Sequence, residues 1–464
     1  MNTESIRLLL MLALASFTAT PGVLAQGLLI PPGPPAPTMK TLQQIEPRID
    51  LQNAPPAAVT TNDAGYHYII TQPGSYYLSA NLGVTKTLGI QINAEGVTLD
   101  LSGFEISRAS STGGTGIEIL GTSHRASVRN GSIKGFSHGI LCSFSTSYSK
   151  GCAFRDLAVS TCTNAGIFAG EGAVLESCRV HDSSGNYGIY AESGSMLSNC
   201  VASNNTAKYG IFAQNGSTLS NCSASNNASP FSFSAGIRAQ SFCTLSHCNA
   251  YNNLTTHATP TATTGMGLYV SDGSTIQNCT VGSNRGDGIS ATSGCSILDC
   301  TVTSNNSAGI RASSGCTVTR CTLPNNVGYG LYSDADCAVS QCVAKGTTGT
   351  GVGLRVGDNS SVTGCTASAN TTDGIQLTNR CHATNNSVSG NTGDGIDASG
   401  AFNRIDGNHV AGNTGVGIRS AGTDFTVRNS LNGNTGGNLV PGPGGNIAPL
   451  QQAFSATNPW ANLQ

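Results

Sequence analysis

A glycine followed by Ile or Leu recurs at Gly139, Gly166, Gly188, Gly210, Gly236, Gly267, Gly288, Gly309, Gly330, Gly353, Gly374, Gly395 and Gly417. Gly116-Ile117 extends the series upstream, and Gly89-Ile90 stands one interval further out. Most intervals are 21 or 22 residues. A unit this short cannot bury an apolar face alone, so it must stack on copies of itself. Counted from each glycine as zero, apolar or small residues fall in pairs two apart. In the repeat beginning at Gly210 they are Ile211 and Ala213, Ser217 and Leu219, Cys222 and Ala224. That spacing belongs to a strand with one buried face. Three short strands per repeat, joined by turns, predict a coil whose strands stack from repeat to repeat. Asn recurs near offset 17, at Asn205, Asn284, Asn305, Asn370, Asn391 and Asn413. Asn and Gly accept left-handed backbone, so this position reads as a sharp corner.

Two other repeat architectures compete. A leucine-rich repeat has a similar period but needs leucine at most inward positions, and here they are Ile, Val, Ala and Cys. Calcium-binding nonapeptide repeats need Gly-Gly-x-Gly-x-Asp, which is absent. The expected fold is all-β: a three-stranded parallel β-helix (solenoid) of about fifteen turns with terminal caps.

Composition narrows the function classes. Only 10% of the 464 residues are charged, against about 25% in a typical globular protein. With 22 basic and 24 acidic residues, the net charge of -2 offers no basic face for nucleic acid. The hydrophobic content of 38% exceeds that of a disordered chain. Five methionines and eight histidines leave little for a haem or soft-metal site, and no cofactor is expected.

Residues 1–25 read as a signal peptide. Arg7 precedes an apolar run at 8–15, too short for a bilayer, and Val23-Leu24-Ala25 offers a cleavage site. The expected location is therefore secreted or periplasmic, without membrane insertion. Residues 26–38 are a Pro-rich linker. Residues 39–80 read as an N-terminal cap, in which alternating segments about Pro73-Gly74 look like a hairpin. The coil is expected over 81–435 and a C-terminal cap over 436–464, with Trp460 docking as an apolar plug.

The run from Gly96 to Ile106, Gly-Val-Thr-Leu-Asp-Leu-Ser-Gly-Phe-Glu-Ile, and the Gly-Ile repeats after it resemble the secreted right-handed parallel β-helix proteins of the pectate-lyase-like superfamily. The resemblance covers roughly residues 65 to 435. It implies the right-handed form of the coil. It also implies that any site lies on the outer face of the first strand, and that a buried Asn ladder near offset 12 is here replaced by Cys. It does not choose among the activities this fold hosts.

Offset 12 is Cys in nine successive repeats, at Cys178, Cys200, Cys222, Cys248, Cys279, Cys300, Cys321, Cys342 and Cys365, and becomes Asn386 in the next. Cys243, Cys295, Cys316, Cys337 and Cys381 hold offset 7. An exported chain with 17 cysteines invites disulfides. Stacked strands lie about 4.8 Å apart, within bridging range, but in-register side chains run parallel whereas a disulfide needs a dihedral near 90°. The preferred reading is a column of thiols packed as small apolar groups. The disulfide candidate is Cys142 with Cys152, which flank a Ser-rich insertion. A single column does not surround an ion tetrahedrally, so no metal site is expected.

Outward offset 2 reads Phe168, Tyr190, Phe212, Arg238, Tyr269, Ser290, Arg311, Tyr332, Arg355, Gln376, Asp397 and Arg419, with Glu192 and Asp334 among offset 4. Aromatic faces stack on sugar rings and Arg pairs with carboxylates. Insertions at 143–151, 229–234 and 254–264 are expected to rise beside this face. Candidate substrate-binding residues are Phe168, Tyr190, Glu192, Phe212, Arg238, Tyr269, Arg311, Tyr332 and Arg355. No catalytic residue is assigned. The Asp-Asp, Gly-His-Gly and Arg-Ile-Lys motifs of polygalacturonase-like hydrolases and the Asp-Pro-His-Asp of alginate epimerases are missing. Glu192 and Asp334 are six repeats apart, about 29 Å, where paired carboxylates for glycoside hydrolysis sit within about 10 Å. Three function classes remain: a non-catalytic polysaccharide- or cell-surface-glycan-binding module, a polysaccharide lyase or glycoside hydrolase, and a structural adhesin-like rod.

Overall fold

A computed structural model describes residues 48–464 except 110–112, 144–147, 260 and 445. The signal peptide, the Pro-rich linker and the start of the N-terminal cap lie outside the described residues. From residue 49 onward the chain is one unit, a parallel β-solenoid. Its first-strand stack holds seventeen parallel strands, from Tyr66–Ile70 to Leu439–Pro441. Two segments assigned to caps are therefore turns of the coil. Tyr66–Ile70 pairs in parallel with Leu88–Ile92, and Gly74–Tyr77 with Val97–Asp100. The segments about Pro73-Gly74 thus pair with the next turn and not with each other. The antiparallel partner of Tyr66–Ile70 is the short strand Val59–Thr60.

Within a turn, the period-two pattern sets the core. At Gly309 the side chains of Ile310, Ala312, Cys316, Val318, Cys321 and Leu323 all point inward and are buried. Parallel pairing places each under its counterpart, as Ile310 on Leu331 and Val318 on Val339. The repeat glycine is required by proximity. A Cβ at Gly288 would meet Asn305 Nδ2 at 2.6 Å and the Gly309 carbonyl oxygen of the next turn at 2.7 Å, besides Val302.

The corner differs from the sequence expectation by one residue. Left-handed backbone falls at offset 16, at Asn204, Asn226, Asn252, Ser283, Ser304 and Asn325, and also at offset 11, as at Asn199, Asn221 and Arg320. The Asn at offset 17 instead points inward and builds a ladder. Asn284 Nδ2 donates to Asn305 Oδ1 at 3.0 Å and to the Ala250 carbonyl at 2.9 Å, while Asn284 N also donates to Asn305 Oδ1 at 3.0 Å. The corner leaves backbone groups without strand partners, and the amide satisfies them from inside. The ladder runs through Asn205, Asn227, Asn253, Asn284, Asn305 and Asn326, and from Asn370 to Asn434.

The cysteine column occupies the other corner. All seventeen cysteines are free and buried. The thiols donate to carbonyls two residues back, as Cys279 to Gln277 at 3.3 Å, and their sulfurs accept backbone N–H groups, as Cys365 from Cys342 at 3.4 Å. Beyond Cys365 the same place passes to Asn386, Asn408, Asn429 and Asn462.

The C-terminal end is not closed by an indole. Trp460 is 52% exposed and lies over the Arg428 guanidinium, 5.2 Å from ring centroid to Cζ. The buried residues there are Ala461 and Asn462, the latter as the last rung of the ladder. Polar continuation of the ladder offers that end more hydrogen bonds than an apolar plug would. Asp406 holds Arg428 through two bonds of 2.7 and 2.6 Å and Arg404 through one of 2.7 Å. Hydrogen bonding to Arg428, aided by Arg404, holds its carboxyl below the ordinary 3.8 against the opposing effect of burial. A carboxyl depressed in the folded state adds stability that is complete above the unfolded value and fades as pH falls through the folded one. The C-terminal turns are therefore expected to loosen first in acid, with a change in emission of the single Trp460 below about pH 3.8 that precedes loss of β circular dichroism. Asp406→Asn should abolish the separate acid step. Simultaneous loss of both signals in the parent chain would refute this assignment.

Candidate functional site

The outward column of the first-strand stack is in register from Gln91 through Glu118, Leu141, Phe168, Tyr190, Phe212, Arg238 and Tyr269 to Ser290, Arg311, Tyr332, Arg355, Gln376, Asp397 and Arg419. All the offset-2 candidates thus share one face, but they form two groups.

The upper group is an aromatic cluster. Phe168 stacks on Tyr190 with centroids 4.1 Å apart, and Tyr190 on Phe212 at 5.2 Å. Tyr190 and Phe212 are each only 6% exposed. Their faces are taken by each other, so these rings offer no free platform to a sugar, contrary to the expectation from the stripe. The reason is the one-rung separation of about 4.8 Å, close to ring-stacking distance. Tyr190 donates its hydroxyl to Glu192 Oε1 at 2.7 Å and accepts from Gln214 Nε2 at 2.8 Å. Burial is the main cause pushing its phenol well above the usual range.

Arg238 closes this cluster. Its Cζ lies 5.2 to 5.3 Å from the ring centroids of Tyr209, Phe212, Phe233 and Tyr269. Its Nη1 donates to Tyr209 Oη at 2.5 Å. Four rings around one guanidinium make a cation–π cage, so this Arg is anchored before any ligand arrives. Tyr187 and Tyr209, at the residue before the repeat glycine, belong to the cluster and were not singled out by the offset-2 pattern. Their signal is plain afterwards: Tyr187-Gly188, Tyr209-Gly210 and Tyr329-Gly330 repeat the same pair. The insertions contribute Tyr148, 6.0 Å from Phe168, and Phe233, 5.1 Å from Tyr269. Residues 144–147 of the first insertion lie outside the described residues.

The lower group is more open. Tyr332 lies between two guanidiniums, with Arg311 at 4.9 Å and Arg355 at 4.6 Å from its ring centroid. Arg311 Nε donates to Asp287 at 2.7 Å, and Arg355 Nε to Gln376 at 3.1 Å. Gln376 in turn reaches Asp397 at 3.3 Å, and Arg419 pairs with Asp394 at 2.6 Å. Asp287 and Asp394 each reach one turn on, accepting from Ala308 N at 2.9 Å and Val416 N at 2.7 Å. They hold the corner and aim the Arg of the next rung. A shallow groove of about 290 Å³ opens beside Arg355 and Gln376, bounded by Thr378, Asn379, Ser399 and Gly400.

These features define a right-handed parallel β-helix with rings and guanidiniums ranked along one outer face. Segments 138–306, 207–343 and 289–435 match the family described as the right handed beta helix region, and the chain belongs to that family. No curated protein matches its sequence. Among solved structures it is similar to the A-module of an Azotobacter vinelandii mannuronan C-5 epimerase, at 13% identity over 84% of this chain and 91% of the other, TM-score 0.30. It is also similar to a periplasmic alginate epimerase, at 12% identity over 75% and 80%, TM-score 0.32. A pectate lyase gives 12% identity over 67% and 72%, TM-score 0.31.

Proposed function

We propose that the chain is an exported β-helix that binds an acidic polysaccharide or cell-surface glycan along the outer face of its first-strand stack, without turning it over. The observation that carries this reading is the Arg311–Tyr332–Arg355 triplet. Both guanidiniums use Nε for internal bonds, and their Nη groups donate to no other group among the described residues. The ring between them keeps the two planes apart by two rungs, about 9.6 Å. Two preoriented forks at that separation suit carboxylates on alternate units of an extended sugar chain. Arg419 and the groove beside Gln376 continue the same line.

Tyr332→Ala and Arg355→Ala are better probes than Tyr190→Ala, whose ring is buried in the cluster. On an array of acidic and neutral glycans, Arg355→Ala is expected to weaken binding of the acidic ones about tenfold, equivalent to the loss of one charge-assisted pair, and Tyr332→Ala to weaken it by removing the ring that holds the two guanidiniums in place. The same incubations are read for new reducing ends and unsaturated product. Turnover would make the chain a lyase or hydrolase. Absence of all binding would leave a structural rod.

A further inference from the structure

We propose that the C-terminal end of the coil carries a second glycan site, a groove on the outer face of the second-strand stack that takes a uronate unit against the rings of Phe425 and Trp460, with its carboxylate on Arg404. The groove has a volume of about 570 Å³, within the range of about 300–1,000 Å³ for small-ligand sites. Val427, Ile447 and Ala448 also line it. The winding of the last turns creates it. Arg404, Phe425 and Asn446 are successive rungs of one outward column, which His382 precedes. After Asn446–Ile447 the chain leaves that column, and it returns as Asn462–Leu463, where Leu463 pairs with Ser430. The return sets Trp460 at the last rungs and fixes it there. Ala461 and Asn462 are buried, Asn429 Nδ2 donates to Asn462 Oδ1 at 3.0 Å, and Arg428 N donates to the Trp460 carbonyl at 3.2 Å.

These rings differ from those of the upper cluster. Phe425 is 41% and Trp460 52% exposed, where Tyr190 and Phe212 are closed off. Arg404 Cζ lies 5.0 Å from the Phe425 centroid, and Arg428 Cζ 5.2 Å from that of Trp460. A guanidinium thus takes one face of each ring, and the exposed remainder is left to a ligand. The charge balance points to an anion. Asp406 holds Arg428 by a fork of two bonds, but Arg404 by Nη2 alone. One carboxylate serves two guanidiniums, and Arg404 Nε and Nη1 donate to no group among the described residues. No Asp or Glu lines the groove. A pyranose has apolar C–H faces for a ring and polar edges for water. An open groove with exposed rings and a spare guanidinium therefore suits a uronate, whose carboxylate the fork of Arg404 pairs with.

The site rests on the acidic-glycan reading for its ligand class, but it shares no residue with the first-strand face. Tyr332 stands four rungs above Arg419, whose turn also holds Phe425. That is about 19 Å along the coil, and on another face of it.

Trp460 is the single tryptophan of the chain, so its emission reads this groove directly. The test titrates the full chain at neutral pH with tetramers of galacturonate, mannuronate and glucuronate, and with the methyl ester of each. The expected result is a saturable change in emission with at least one acid, and about tenfold weaker binding of its ester, the loss of one charge-assisted pair. Arg404→Gln should weaken the acid by the same factor and leave the ester unchanged. It keeps the fork between Asp406 and Arg428, so its circular dichroism should match the parent. Phe425→Leu should weaken acid and ester alike, several-fold. Arg355→Ala should leave the emission titration as it is in the parent. No emission change with any tetramer, equal affinity for acid and ester, or full affinity in both Arg404→Gln and Phe425→Leu would overturn the site. Array binding that still falls in Arg355→Ala would in those cases uphold the first-strand face, so the two readings fail separately.

Discussion

Gly288→Ala is expected to lower the unfolding free energy by about 3 kcal/mol, the upper end of the range for overpacking. The added methyl would press on Asn305 Nδ2 at 2.6 Å and on the Gly309 carbonyl oxygen at 2.7 Å. Neither can give way cheaply. Asn305 is fixed by ladder bonds above and below at 3.0 Å, and the carbonyl belongs to the next turn of the stack. Gly294→Ala makes the control. Gly294 has φ +68° and open space where its Cβ would go. It should cost only about 1 kcal/mol, from the left-handed backbone alone. Urea unfolding followed by circular dichroism measures both. Equal midpoint shifts in the two variants would show that close approach across the stack is not what demands glycine at the repeat position. In a solenoid each turn is held by its neighbours, so Gly288→Ala should also separate the transition into two steps.

Arg311→Ala should be nearly as damaging, at about 3 kcal/mol. Asp287 is 1% exposed at its side chain and pairs with Arg311, which is 34% exposed. Removing one member of a buried pair leaves the other charge uncompensated, at about 3–5 kcal/mol. The wet edge of Arg311 places this case at the low end. The Ala308 N–H bond to Asp287 at 2.9 Å survives, so the carboxylate keeps one partner. The double variant Arg311→Ala, Asp287→Ala should regain part of the loss, since it removes the stranded charge. Thermal or urea unfolding of the three variants gives the coupling between the two residues. A double variant no more stable than Arg311→Ala would show that the stranded charge is not the source of the loss.

The two experiments probe different parts of one design. The glycine sets the distance between turns, and the Asp–Arg pair, reaching from one turn to the next, aims an outward guanidinium. Outward face and scaffold are therefore coupled at Arg311, so in the test of the proposed glycan binding Arg311→Ala is read beside Tyr332→Ala and Arg355→Ala, which leave Asp287 paired.

Which side chains turn inward, and that the coil is parallel and stacked, follow from the sequence. Both are periodic properties: a two-residue alternation within a strand, and the 21-to-22-residue return of Gly-Ile. Ile310, Ala312, Cys316 and Val318 are where the offsets put them because a strand has only two faces. The face that carries the rings and guanidiniums was legible for the same reason. What those rings do was not. Tyr190 and Phe212 read as platforms in the chain, yet the structure turns them into a stack, since the residue covering each face is a full repeat away in sequence and one rung away in space. Tyr187 and Tyr209 pack at a tilt against Phe212 from a different offset, and Phe233 meets Tyr269 edge-on from an insertion without periodicity. The Asn ladder shows the same division. Composition and spacing located Asn305, but whether an Asn turns its backbone or its amide into the corner depends on which neighbouring backbone groups lack partners. Only the wound chain decides that, because those groups belong to the turns before and after.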